Sequence, residues 1–155
     1  MEGSQSKKIL KLFLRLSISA GFLSAVADRF GWWNKEVSVW GNWNSFLEYT
    51  TLINPWIPQA FISAIGFIAT GAEILFALFL ILGFKTELFA KLSGFLLLSF
   101  ALAMSFSIGI KAALDYSVFP ASAAAFALSL IKEKYMEVDS IVSNRDNKKA
   151  FPQKV

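Results

Sequence analysis

The chain has 155 residues, of which 55% are hydrophobic and only 17% charged, with a mean hydropathy of +0.54. That balance excludes a disordered or low-complexity chain, and it is too apolar for an ordinary soluble domain, where roughly a quarter of residues are charged. Zero Cys and zero His exclude disulfides, thiol redox chemistry and thiolate metal sites, and remove the commonest metal ligand and general base.

Four apolar stretches, at about 9–30, 57–82, 88–108 and 117–134, predict membrane spans, because about 20 apolar residues cross a hydrocarbon core roughly 30 Å thick. The apolar run of the fourth stops at Ile131, so its helix is expected to run on through Lys132 and Lys134, whose long stems reach the headgroups. The fold expected is all-α: an integral membrane antiparallel four-helix bundle, with residues 1–135 one transmembrane domain and 136–155 a mobile, cytoplasmic tail. In the short link between the second and third spans, Gly83 is placed to end one helix and Thr86 to cap the next. Asp115 is the candidate cap before the fourth span, with Pro120 in its early turns.

Lys7, Lys8, Lys11, Lys85, Lys91, Lys132, Lys134 and the basic residues of the tail flank one side, against Arg29, Lys35 and Lys111 on the other. By retention of basic flanks in the cytoplasm, both termini are expected inside, in the cytoplasmic (inner) membrane of a bacterial cell. The same clustering accounts for the net charge of +4, and no separate basic domain exists to bind nucleic acid. Ala25, Val26 and Ala27 ahead of Asp28 imitate a signal-peptide cleavage site. Arg15 interrupts the apolar run and three further spans follow, so the first helix is expected to stay uncleaved.

All five Trp residues, Trp32, Trp33, Trp40, Trp43 and Trp56, fall in the outer segment 31–56. Indole rings favour the membrane interface, so this loop is expected to lie on it, with 44–54 a short flat helix and Trp40 and Trp43 a lid over any pocket, or a belt that merely sets depth. In the second span, Gly66, Ala69, Thr70, Glu73 and Ala77 share one stripe. A mid-membrane carboxylate is either a functional group or a hydrogen-bonded structural tie, and Glu73 is the leading candidate. Arg15 is its expected partner, at depths roughly 9 and 15 Å from the inner ends of their spans; the alternative is that Arg15 snorkels to the headgroups. A second polar stripe, Ser17, Gly21, Ser24 and Asp28, leads toward a charged outer mouth of Asp28, Arg29, Lys111 and Asp115. The small residues of the third and fourth spans are expected first as close-packing faces.

Phosphate loops, paired-carboxylate signatures and metal-ligand clusters are absent, so redox activity needs a bound quinone or a partner subunit. On Ala27-Asp28-Arg29-Phe30-Gly31, Trp40-Gly41-Asn42-Trp43 with Phe46, Asn54-Pro55-Trp56-Ile57-Pro58, Thr70-Gly71-Ala72-Glu73, Leu82-Gly83-Phe84-Lys85-Thr86, Gly109-Ile110-Lys111 and Asp115-Tyr116-Ser117, the chain resembles the DoxX family of small bacterial membrane proteins over about 14–130. The resemblance implies a four-helix membrane fold and a link to quinone-dependent or oxidative-stress assemblies; it carries no catalytic residues. The function expected is an accessory or quinone-binding or lipid-binding subunit, with a membrane protein or a second copy of the chain as partner. The alternatives are a proton-coupled transporter using Arg15 and Glu73, and a scaffolding subunit. A quinone is expected beneath the Trp-rich loop, reaching Thr70 and Glu73.

Overall fold

In the computed structural model, which describes residues 2–140, the described chain is helical and contains no strand. Six helices follow in order: α1 (Glu2–Arg29), α2 (Trp43–Ile53), α3 (Gln59–Leu82), α4 (Thr86–Ile108), α5 (Ile110–Asp115) and α6 (Val118–Leu130). Three of them, α1 over Ser4–Arg29, α3 and α4, are long and apolar enough to cross a membrane. The helix predicted over 117–134 is shorter. It ends at Leu130, because Ile131 turns to extended backbone, and it is preceded by the single-turn α5, from which Ser117, at φ 55°, separates it. The first helix instead begins well before residue 9, its Lys-bearing early turns continuing the helix of the apolar part.

α1 packs on α3, α3 on α4, and α4 most extensively on α6, while α6 and α1 touch more sparsely. The α4–α6 contact is close because Gly94 lies under the Phe126 ring and its carbonyl accepts from Ser122 Oγ at 2.9 Å. One apolar cluster joins Ile18 and Phe22 of α1 to Ala77, Leu80, Ala90, Ala125 and Leu128; a second joins Ile53 of α2 to Ala101, Met104 and Ala113. The outer faces of the helices are themselves apolar, with Phe13, Phe67, Ile68, Phe95 and Phe106 exposed.

The basic end is tied by a set of buried polar groups that departs from expectation. Arg15 is fully buried. Its Nε donates to Leu80 O (2.7 Å), Nη2 to Ile81 O (2.8 Å), and Nη1 to Tyr135 O and Met136 O (3.1 and 3.0 Å). A helix C-terminus leaves its last carbonyls without intrahelical partners, and one planar guanidinium here serves those of α3 and the strap after α6 together. Lys11 adds an ion pair to Glu137 at 2.9 Å, and Arg15 a longer one at 3.6 Å. Asp139 accepts from the backbone N–H of Lys85 and Thr86, so the cap of α4 is Asp139, whereas Thr86 is the first residue of the helix. Residues 136–140, expected in a mobile tail, are therefore held against the α3–α4 turn. The rest of that tail, 141–155, lies outside the described residues.

Gly83 ends α3 as expected, in the left-handed region at φ 67°. A Cβ there would sit 2.6 Å from Arg15 Nη2 and 2.7 Å from Glu137 Cα. Gly83→Ala is expected to cost about 1–3 kcal/mol from backbone strain and the displaced clasp, read as a lowered thermal midpoint of the purified protein.

Candidate functional site

At the opposite end of α1, two adjacent residues turn to different tasks. Asp28 accepts from Ser38 Oγ and from the backbone N–H of Val39 and Trp40 (3.0 and 2.9 Å), so its carboxylate folds the outer loop back onto the helix end. Asp28→Ala leaves those amides without their acceptor. Their hydrogen exchange is expected to quicken by about tenfold or more, with a smaller change in global stability, since one charge-assisted group contributes about 1.5–3 kcal/mol.

Arg29 extends the buried stripe Ile18, Phe22, Val26 of α1 and turns toward α3. Its Nη1 donates to Glu73 Oε2 at 2.5 Å and to Thr70 Oγ1 at 2.7 Å, and its Nη2 to Glu73 Oε1 at 2.9 Å. Arg29 is 3% exposed and Glu73 1%. The guanidinium lies 4.1 Å from the Phe46 ring centre and 5.3 Å from that of Trp40, so aromatic faces from α2 and the loop cover the pair. Asn42, whose side chain accepts from Ser45 N at 2.9 Å, starts α2 and so sets Phe46 in that position.

The partner of Glu73 is thus Arg29 and not Arg15. Helix direction explains it: Cβ bonds tilt toward the helix N-terminus. α1 and α3 run oppositely, as Ser19 Oγ on Ala77 O and Arg15 on Leu80 O show. Arg29 therefore leans down α1 while Glu73 leans up α3, and the two meet. Arg15 is level with Leu80, seven residues or roughly 10 Å from Glu73 along the helix, where unpaired α3 carbonyls hold it. The expected four-residue outer mouth is likewise divided. Lys111 and Asp115 pair with each other on α5 at the exposed surface, and Asp28 and Arg29 are buried apart from them.

A cavity of about 890 Å³ opens beside this pair. Its wall is mostly apolar and includes Ile18 and Phe22 of one core cluster and Ile53 and Met104 of the other, so it lies between the two. Its charged residues Asp28, Arg29 and Glu73 lie near one another, with Glu73 paired to Arg29, and Tyr49 is also on the wall, while Ser17, Ser24 and Ser99 are polar elsewhere in the lining. The polar stripe Ser17, Gly21, Ser24 and Asp28, expected to lead to a charged outer mouth, lines this space. Of the expected lid, Trp40 lines the cavity, whereas Trp43 packs against Phe46 and Phe67. Trp33, which sequence reasoning left among the interfacial rings, lines it too and donates from Nε1 to Ser24 O at 3.1 Å. Thr70, expected with Glu73 as a ligand contact, accepts from Arg29 beside Glu73 and is not among the residues lining the cavity.

Two buried donors here have no partner in the protein: Arg29 Nε and Trp40 Nε1. Burial pushes the Tyr49 phenol above its ordinary value, with the Tyr116 phenol acting in the same direction, so at neutral pH it keeps its proton. The arrangement is a large apolar chamber with a few polar groups on its wall. Among the described residues, no three His, Cys, Asp or Glu side chains gather as metal ligands. Compared with family models, curated proteins and solved structures, the chain matches none.

Proposed function

We propose that this chain is an integral membrane protein of a bacterial inner membrane, an antiparallel four-helix bundle with both termini cytoplasmic. In this reading it holds an isoprenoid quinone as an accessory subunit of a redox or stress-related membrane assembly. The membrane reading is supported by the apolar outer faces of α1, α3 and α4, which water would not tolerate at this extent. In this reading α6, a shorter apolar helix, is the fourth span.

The observation that carries the ligand reading is an apolar chamber of about 890 Å³ whose wall includes the Tyr49 phenol, Trp40 and the paired Arg29 and Glu73. Pockets of roughly 300–1,000 Å³ with few, placed polar groups suit ligands of this kind. A quinone carbonyl is an acceptor without charge, so it can take the Tyr49 phenol as donor and leave the Arg29 and Glu73 pair intact. The landmarks that resemble the DoxX family include residues of this site, Asp28, Arg29, Trp40, Phe46, Thr70 and Glu73. The transport reading relied on an Arg15 and Glu73 relay, and those residues have other partners.

Native mass spectrometry of the protein released from lipid tests the proposal, with a bound quinone as the expected result. Glu73→Gln keeps the size of the side chain but turns one of its two acceptor oxygens into a donor facing Arg29, and is expected to retain more quinone than Glu73→Leu. Glu73→Leu frees Arg29 from its place and is expected to lose quinone by about tenfold or more. Unchanged quinone with Glu73→Leu would leave Glu73 as a structural tie only.

A further inference from the structure

We infer that the cavity has a side door, between α1 and α6, through which the tail of a single-tailed ligand passes into the apolar core of the bilayer. This rests on the quinone reading above and adds the path and the class of ligand that fits it. On α1, Ser17, Gly21 and Ser24 line the cavity and are exposed, and no side chain from another element packs over Gly21. A Cβ added to Gly21 would meet nothing within 4 Å. Ala121 and Ala124 of α6 form the facing edge of the cavity. The neighbouring contacts do not leave such a gap: α1 lies extensively along α3, and α6 along α4, whereas α1 and α6 touch sparsely.

The position of the door suits an amphipathic ligand. At 1.5 Å per residue, Ser24, Gly21 and Ser17 lie about 8, 12 and 18 Å from Arg29 along α1. A polar ring at Arg29 therefore sends its tail down toward the basic end and out near the middle of the helix, as a lipid of the outer leaflet lies. The Trp33 bond to Ser24 O holds the loop at the upper edge of the opening. The chamber takes a ring with a short tail. A tail of many isoprene units exceeds the chamber and needs the door.

The test is equilibrium binding to the full chain in lipid nanodiscs of two benzoquinones, one with a single isoprene unit and one with eight. Gly21→Phe fills the opening. It is expected to weaken binding of the eight-unit quinone by about tenfold and to leave the one-unit quinone and the thermal midpoint little changed, while Gly21→Ala alters neither. If Gly21→Phe does not fold, Ala124→Phe closes the door from α6 with the same expectation. Undiminished binding of the eight-unit quinone, or equal loss of both quinones in a folded variant, would overturn the door while leaving the quinone reading standing. If the unaltered protein binds neither quinone, the quinone reading falls and the door with it.

Discussion

Arg29→Met is expected to destabilise the protein by about 3–5 kcal/mol, because it leaves the Glu73 carboxylate buried without its counter-charge. Both oxygens of Glu73 are bonded to the guanidinium, and the pair lies under Phe46 and Trp40 with almost no exposure. Glu73→Leu is expected to lose a similar amount, since it strands the cation. The double substitution Arg29→Met with Glu73→Leu is expected to recover most of the loss, to within about 1–2 kcal/mol of the unaltered protein, as apolar replacement of a buried ion pair often does. Thermal unfolding of the four proteins in one detergent gives the coupling directly. Quinone retention adds the second reading: recovered stability without recovered quinone separates binding from structural support. Recovery of both would show that the pair only ties α1 to α3.

A comparable loss is expected at the basic end. Arg15→Leu removes the donor to four backbone carbonyls, two at the end of α3 and two in the strap at Tyr135 and Met136. Each buried acceptor left without a partner costs about 1–3 kcal/mol, and not all of them can find water at a fully buried position. The expected outcome is a loss of about 3 kcal/mol or more, with rapid proteolytic cleavage in 131–140 as that strap releases. Arg15→Lys is expected to rescue only in part, because an ammonium reaches these carbonyls as a point and not as a planar fork. Resistance of 131–140 to protease in a folded Arg15→Leu protein would show that Lys11 and Glu137 suffice to hold the strap.

Much of the architecture was legible from the residues. The three long helices follow from the length of their apolar runs, the end of α3 from Gly83, and the short α2 from a turn-rich segment that resumes helical spacing at Trp43. Thr70 and Glu73 were marked by a shared stripe, and they do face one site. Arg29 was read as an outer-mouth residue, although Ile18, Phe22, Val26 and Arg29 recur at helical spacing. That pattern, read as a continuous buried stripe, would have turned it inward. The clasp made by Arg15, Glu137 and Asp139 had no comparable signal, since its partners are mostly backbone carbonyls and amides more than 50 residues away.

By itself the sequence determined the kind of object this is: a helical chain with four apolar stretches, three of which form helices of membrane-crossing length among the described residues, basic at one end and rich in Trp at the other. Those properties are sums over neighbouring residues, and apolar length and periodicity express them without reference to the rest of the fold. Only the tertiary structure decided which charges meet and where space remains. Pairing of Glu73 with Arg29 depends on two helices running oppositely, so that their side chains lean toward each other. The cavity is walled by residues of α1, α2, α3, α4 and α6, elements far apart in the sequence. Small side chains permit both close packing and open space: Gly94 lies closed against the Phe126 ring, whereas a Cβ on Gly21 would meet nothing within 4 Å.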